Sequence, residues 1–208
     1  MTGSLKFFRL GVKPVVFLLM AWPAGYIIYQ TWAAFSGLPH QLGFNPVEVV
    51  HHFTGDWAIR FLLLGLAVSP LAKVKKLRRL MLLRRMVGLF AAFYSLLHVT
   101  GYLWLDLDLS MTALWQDVIK RNYITVGMGA FLLLVPLTLT SFQRAVRYLG
   151  AKRWQRLHKL VYIIGALAVV HFFMMRKGFQ LEPIIYMAIY AGLMVMRWPR
   201  KRQRHRTN

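Results

Sequence analysis

The 208-residue chain contains no cysteine and only six acidic residues. The absence of cysteine excludes disulfide bonds, thiolate zinc sites, iron–sulfur clusters and the thioether attachment of a covalent haem. Any bound metal or haem must therefore be held by His, Met, Tyr or carboxylate side chains, and carboxylates are scarce. Charged residues of both signs make up only 16% of the chain, against roughly 25% in an ordinary soluble domain.

Hydrophobic residues, in contrast, account for 58% of the chain and occur in long blocks. This richness excludes a disordered chain, and the blocks exclude an ordinary water-soluble domain. Six blocks approach the ~20 residues that a membrane-spanning helix needs. They cover residues 14–35, 56–72, 86–105, 123–141, 154–175 and 181–198. Because a segment inside a bilayer must satisfy its own backbone hydrogen bonds, the sequence predicts one all-α membrane domain over residues 1–208, a bundle of six transmembrane helices.

The 27 basic residues are distributed unevenly between the two sides of this predicted bundle. The N-terminus, the connections after the second and fourth spans, Arg197 and the basic tail 199–208 hold 22 of them, all on one side. All six acidic residues lie in or beside the other three connections. The positive-inside rule then predicts that both termini are cytoplasmic. Topology and contact with anionic lipid thereby explain the net charge of +21, so no nucleic-acid partner is expected.

Two of the seven histidines, His98 and His171, lie within apolar blocks. Ionisable side chains at membrane depth are costly and usually functional. At 1.5 Å per residue, His98 lies about 10 Å and His171 about 6 Å from the acidic-side end of its span, so the two imidazoles have similar heights. A bis-histidine b-type haem requires one axial nitrogen from each of two helices. The alternative is a pair of neutral histidines bonded to Ser, Thr or backbone carbonyl groups.

A third histidine, His158, precedes His171 by 13 residues, or about 20 Å along a helix. Such a spacing is typical of proteins that stack two haems across a membrane, but the matching positions on the third span are Arg84 and Arg85. Thirteen residues also turn a helix about 140° out of register. Two interpretations therefore stay open: a second haem at His158, or a boundary histidine that contacts lipid phosphate, a cofactor or the basic loop.

Three arginines and two adjacent histidines also have more than one interpretation. Arg84 and Arg85 are membrane anchors, or they pair with haem propionates or a flavin phosphate through their planar guanidinium groups. Arg60 is a basic residue on the acidic side of the bundle, which makes it a candidate partner for a haem propionate. His51 and His52 precede the second span, where they form the base of a quinone site, contact a partner, or are ordinary loop residues.

Three segments together resemble a known family. They are V-H-H-F-T-G-D-W-A-I-R-F-L-L-L at 50–64, R-R-M-V-G-L at 84–89 with H-V-T-G-Y at 98–102, and G-x-x-R-W-x-x-L-H at 150–158 leading to His171. Over about residues 10–200 the chain is similar to the MsrQ family, the haem-binding subunits of the periplasmic methionine sulfoxide reductase system. That family belongs to a larger group of ferric-reductase-like membrane domains.

The resemblance implies an electron-transfer subunit rather than a catalytic one. It implies a b-type haem, an FMN, and a multi-pass location in the bacterial inner membrane. Electrons would come from the quinone pool or a cytosolic flavin reductase and pass to a periplasmic molybdopterin-containing reductase that repairs oxidised methionines. His98 matches the family's ligand on the third span, and His158 and His171 match its pair on the fifth. The missing second histidine on the third span leaves the number of haems at one or two.

Two other functions are compatible with the same residues. One is a stand-alone ferric-reductase-type cytochrome that reduces a metal or oxygen at the outer face without a protein partner. The other is a haem-free transporter or assembly scaffold in which the histidines carry protons. The scarcity of carboxylates in the predicted spans disfavours a transporter, because proton relays usually recruit Asp or Glu.

Overall fold

The structure of the protein is a computed structural model that describes residues 6–176 and 180–197. Within these ranges it is helical, with no β-strand. We number eight helices: α1 (Phe8–Phe35), α2 (Pro46–Leu71), α3 (Arg84–Leu105), α4 (Met111–Lys120), α5 (Asn122–Leu139), α6 (Gln143–Leu149), α7 (Ala151–Met175) and α8 (Leu181–Val195). A short 3-10 helix, Lys75–Leu82, precedes α3. The predicted all-α class is thus confirmed.

Four of these helices, α1, α3, α5 and α7, are long and apolar enough to cross a membrane by length and composition. Helix α8 is apolar but has only 15 residues. Helix α2 is the longest helix after α1, with 26 residues, and it carries Glu48, Asp56 and Arg60 among its apolar side chains. The six predicted spans thus coincide with six helices, of which four meet the requirements for a span. The predicted basic tail, 199–208, lies outside the described residues.

Helix α2 begins at Pro46, ten residues before the start that the apolar block indicated. Its N-cap is Asn45, whose side-chain oxygen accepts a hydrogen bond from the backbone N–H of Glu48 at 3.3 Å. The Asn45 amide also donates to the Glu48 carboxylate at 2.9 Å. Asn is among the preferred N-cap residues, and Pro is favoured in the first turn. Local capping therefore extends this helix beyond its hydrophobic part and carries His51 and His52 onto it.

The bundle is built from two packed pairs of helices. Helix α2 packs along α3, α5 packs along α7, and the two pairs meet through contacts of α3 with α5 and of α2 with α7. Helix α1 lies against α2 and α3, and α8 lies against α2 and α7. An aromatic cluster of Trp57, Phe61, Phe90 and Tyr94 fills the α2–α3 interface. Tyr94 is fully buried, and its hydroxyl donates to the Met20 carbonyl of α1 at 2.9 Å.

The two ends of the bundle differ in charge. We call the end that holds Asp106 and Glu182 the acidic end, and the end that holds Arg84, Arg85 and Arg156 the basic end. The sequence interpreted this difference in charge as one between two membrane faces, and that topology remains a prediction. Each end also contains a cleft between the helices.

Candidate functional site

The cleft at the acidic end has an empty volume of about 870 Å³ and lies between α2, α3, α5 and α7. We call it the histidine cleft, because His51, His52, His98 and His171 line it. Most of its other lining side chains are apolar, among them Ala91, Leu134 and Phe172. A mainly apolar wall with a few polar groups is usual for ligand pockets.

The structure places the rings of His98 and His171 side by side, although 73 positions separate them in the chain. Their ring centroids are 6.3 Å apart, and the ring planes are inclined by 74°. His98 lies on α3 and His171 on α7, so two different helices present the two imidazoles to one cleft. Their similar heights are those that the sequence predicted. Their role as ligands remains a prediction.

The Nδ1 atom of each ring is held by a backbone carbonyl of another helix. Nδ1 of His171 lies 2.8 Å from the carbonyl oxygen of Tyr123. Nδ1 of His98 lies 3.1 Å from the carbonyl oxygen of His51 and 3.3 Å from the Thr54 hydroxyl. Since a carbonyl oxygen can only accept, both Nδ1 atoms carry the hydrogen. The lone pair of each neutral ring is then on Nε2, which is the arrangement that metal-binding histidines show.

The two Nε2 atoms have no hydrogen-bond partner within 6–176 and 180–197. A pair of merely structural histidines would explain the Nδ1 contacts, but it leaves these two lone pairs unused at an apolar cleft. In the described part of the chain, no group of three or more His, Asp or Glu side chains could enclose a metal ion. A haem needs only two axial nitrogens from the protein, because its porphyrin supplies the other four. The paired imidazoles therefore fit a bis-histidine haem.

Two glycines make room for the imidazoles. A Cβ atom on Gly127 of α5 would lie 2.7 Å from both Nδ1 and Cε1 of His171. A Cβ atom on Gly55 of α2 would lie 3.2–3.3 Å from Cε1 and Nδ1 of His98. Each ring is thus seated directly on a helix backbone. The sequence analysis gave neither glycine a role at this site.

His51 supports His98 in two ways. Its carbonyl accepts the His98 hydrogen bond, and its ring lies edge-on to the His98 ring with centroids 6.1 Å apart. Nε2 of His51 contacts the carboxylate of Asp106, while its buried Nδ1 has no partner among the described residues. His51 therefore belongs to the layer of side chains behind the candidate ligand.

Four charged side chains form a closed ring at the mouth of the histidine cleft. Nη2 of Arg176 lies 3.2 Å from Asp56 and 3.4 Å from Glu182. Nη2 of Arg60 lies 3.3 Å from Glu182 and 3.6 Å from Asp56. We call this set the charge ring. Because its charges alternate and sum to zero, it joins α2, the end of α7 and the start of α8 without leaving a net charge.

The two arginines of the charge ring face different surroundings. Arg176 lines the histidine cleft and donates from Nη1 to Nδ1 of His52 at 3.1 Å. Arg60 is not among the lining residues, and its Nε donates to the Tyr186 hydroxyl at 2.9 Å. The sequence singled out Arg60 because it is basic on the acidic side. Arg176 gives the same signal, but the sequence analysis missed it.

A second cleft, of about 970 Å³, lies at the basic end. We call it the arginine cleft, because Arg84, Arg85 and Arg197 line it together with His158. No Asp or Glu is among its described lining residues. Nη1 of Arg197 donates to the Tyr162 hydroxyl at 2.8 Å, but its buried Nε has no described partner. Three cations without acidic counter-charges suit an anionic ligand.

His158 is held differently from His98 and His171. Its Nε2 lies 3.2 Å from the Thr140 hydroxyl, and its ring stacks on Trp154 with centroids 4.0 Å apart. The Nε2 atom, which has no described partner in His98 and His171, thus already has a contact in His158. Arg84 and Arg85 face the same cleft, as the sequence spacing indicated, and no second histidine is among the described lining residues.

The two clefts share part of their walls. Leu62 of α2 and Leu134 of α5 line both of them, and each is only 8% exposed. We call these two residues the leucine wall. The described part of the bundle therefore contains a cleft at each end, and Leu62 and Leu134 lie in the walls of both.

Comparison with known proteins identifies the family. The family described as ferric reductase like transmembrane component matches residues 54–169, which is more than half of the chain. A protein-methionine-sulfoxide reductase heme-binding subunit MsrQ from Polaromonas naphthalenivorans is 42% identical over 203 residues, covering 94% of this chain and 90% of the relative. The corresponding MsrQ proteins of Herminiimonas arsenicoxydans and Caulobacter vibrioides are 43% and 42% identical, over 89% and 82% of this chain and 84% and 82% of their own lengths.

Proposed function

The chain belongs to the MsrQ family of membrane proteins, and we propose that it is a b-type haem subunit that carries electrons to a protein-methionine-sulfoxide reductase. One observation carries the proposal: two imidazoles from α3 and α7 meet in an apolar cleft with both Nδ1 atoms held and both Nε2 atoms free. The names of the relatives support the haem and the reductase partner.

His98 and His171 would be the residues that hold this haem through their Nε2 atoms. The carbonyl groups of His51 and Tyr123 fix the tautomer and the orientation of the two rings before any ligand arrives. Gly55 and Gly127 give the rings the space that this orientation needs. The apolar remainder of the cleft would exclude water from the bound group. When bound, a b-type haem takes up and releases one electron at a time as its iron changes between Fe(III) and Fe(II).

The chain itself would be an electron-transfer subunit in the bacterial inner membrane, with six spans and both termini in the cytoplasm. The acidic end, which holds the histidine cleft, would face the periplasm. A molybdopterin-containing reductase would receive the electrons there and reduce methionine sulfoxide in envelope proteins. The donor would be the quinone pool or a cytosolic flavin reductase. His52, at the mouth of the histidine cleft, is the candidate base for a quinone site on that side.

The arginine cleft is the candidate site for a second cofactor on the cytoplasmic side. Arg84 and Arg85 would bind its anionic groups, the phosphate of an FMN or the propionates of a second haem. The geometry of His158 favours FMN over haem, because its Nε2 already contacts Thr140 and no second histidine lines the described part of the cleft.

A reduced-minus-oxidised spectrum of the purified protein, with a pyridine haemochrome count, tests the haem proposal. We expect a low-spin b-type signal and one haem per chain. His98→Ala and His171→Ala should each abolish this signal, whereas His158→Ala should retain one haem. A colourless wild-type protein after haem-replete expression would contradict the proposal and favour a transporter or scaffold. Loss of all haem in correctly inserted His158→Ala protein would overturn the assignment of ligands.

The flavin proposal needs a separate measurement. FMN released by acid from the purified protein should fall in Arg84→Gln and Arg85→Gln, while the haem count stays the same. Arg79→Gln is a control in the same basic connection, since Arg79 does not line the cleft. Equal FMN in all three variants would place the flavin elsewhere. Co-purification of a periplasmic subunit separates the proposed function from a stand-alone ferric-reductase-type cytochrome.

A further inference from the structure

We propose that Arg176 is the residue that anchors a propionate of the haem in the histidine cleft. The proposal rests on the proposed function, since it needs a haem between His98 and His171. It goes beyond that function because it assigns the anchoring of the haem's carboxylates to one arginine of the charge ring and not to the other.

The first argument is the composition of the cleft. Arg176 is the one Lys or Arg among the described residues that line it. A haem carries two anionic propionates, and an anion placed in an apolar wall without a cation is strongly disfavoured. Asp56 is also a lining residue, but its negative charge repels a propionate. The propionates are therefore directed to the mouth of the cleft, where Arg176 and His52 lie together.

The second argument is the position of Arg176 relative to the candidate ligand. It follows the last residue of α7, five positions after His171. Its guanidinium group lies over the Phe172 ring at 5.1 Å, and its side chain is only 17% exposed. The cation is thus held at the cleft wall rather than extended into the surroundings.

The third argument is the hydrogen-bonding capacity of the guanidinium group. It has five N–H bonds, and it donates hydrogen bonds to His52, Asp56 and Glu182. Its Nε has no acceptor within the described ranges. The contact with Glu182, at 3.4 Å, is also the longest of the three. Arg60 and Tyr186 hold the same Glu182 carboxylate at 3.3 and 3.2 Å, so Glu182 keeps partners if a propionate replaces it on Arg176.

The test compares two haems in the same protein. The apoprotein is reconstituted with protohaem, and separately with protohaem dimethyl ester, in which both propionates are uncharged. We expect wild type to bind protohaem about 10- to 100-fold more tightly than the ester, the range that corresponds to a hydrogen bond to a charged group. This comparison needs no substitution, so it does not depend on how a variant folds. Equal affinity for the two haems would overturn the proposal.

Two substitutions assign the effect to one residue. Arg176→Gln should lose the preference for protohaem over the ester, and Arg176→Lys should keep part of it. Arg60→Gln is the matched control, because it breaks the same charge ring without changing the lining of the cleft. It should keep the preference. Resonance Raman bands of the propionate groups should shift in Arg176→Gln and not in Arg60→Gln.

Three outcomes are decisive. A preference that survives in Arg176→Gln overturns the anchor. An equal loss of preference in both arginine variants shows that the intact ring, rather than Arg176, determines binding, and it also overturns the proposal. A wild-type protein that binds neither haem contradicts the proposed function itself. A wild-type protein that binds both haems equally well contradicts only the role of Arg176.

Discussion

Gly127 and His171 are in direct contact across the α5–α7 interface, and the ring of His171 occupies the space that a Cβ atom on Gly127 would need. The same imidazole donates from Nδ1 to the Tyr123 carbonyl, one turn earlier on α5. One stretch of α5 backbone therefore both seats and orients the candidate ligand.

Gly127→Ala should weaken haem binding more than the addition of a methyl group at an open position on the same helix. The new Cβ would lie 2.7 Å from two ring atoms, so the imidazole must move away from its seat. Overpacking of this kind costs about 1–3 kcal/mol, which corresponds to about 5- to 150-fold in haem affinity. Haem titration of the apoprotein measures this loss of affinity. Gly129→Ala is the control on the same helix, because nothing lies within 4 Å of its Cβ position. Equal affinities in the two variants would contradict this role of Gly127.

Gly55→Ala should have a smaller effect on the other ligand. Its Cβ would lie 3.2 Å from the His98 ring, a contact that a shift of a few tenths of an ångström relieves. We expect a loss of less than about tenfold in haem affinity, together with a shift in the Soret band. Gly101→Ala of α3, whose Cβ would be 3.9 Å from His51, is the control. A complete loss of haem in Gly55→Ala would show that His98 cannot move at all.

The sequence predicted the all-α class and the similar heights of His98 and His171, because each depends on a pattern along a single helix. Apolar block length determines where the helices lie, and depth along a helix determines which side chains reach the same height. The glycine seats and the carbonyl partners could not be predicted in this way. They depend on how one helix packs against another, and periodicity within a single helix does not contain that information.

Thr140→Val should leave the haem count unchanged. The Thr140 hydroxyl contacts Nε2 of His158, so its removal frees that nitrogen without touching His98 or His171. One haem per chain, counted as the pyridine haemochrome in both wild type and variant, is the expected result. A second haem in the variant would show that Thr140 keeps a latent ligand engaged. A loss of the only haem would mean that the ligand pair has been assigned incorrectly.

Tyr94→Phe should destabilise the bundle without removing haem. The fully buried hydroxyl of Tyr94 donates to the Met20 carbonyl and links α3 to α1. A net hydrogen bond of this kind contributes about 0.5–1.5 kcal/mol to the free energy of unfolding. Unfolding of the detergent-purified apoproteins by denaturant measures the difference. A variant as stable as wild type would show that the α1–α3 contact depends on packing alone.

The sequence also did not predict which arginine of the charge ring lines the histidine cleft. Arg60 and Arg176 are both basic residues on the acidic side, and the sequence gives no reason to prefer one of them. The structure distinguishes them, because Arg176 faces the histidine cleft whereas Arg60 faces Tyr186. A charge pattern predicts the sign of a region, but not the direction in which each side chain points.

The leucine wall has a consequence for the energy stored across the membrane. On the proposed function, cofactors bound in the two clefts would lie on either side of Leu62 and Leu134, which line both clefts. Protons and hydrated ions need polar partners at every step, and this wall offers none. On the proposed function, the bundle would carry electrons between its two ends while Leu62 and Leu134 oppose the passage of ions, so that the membrane potential is not lost by ion leakage.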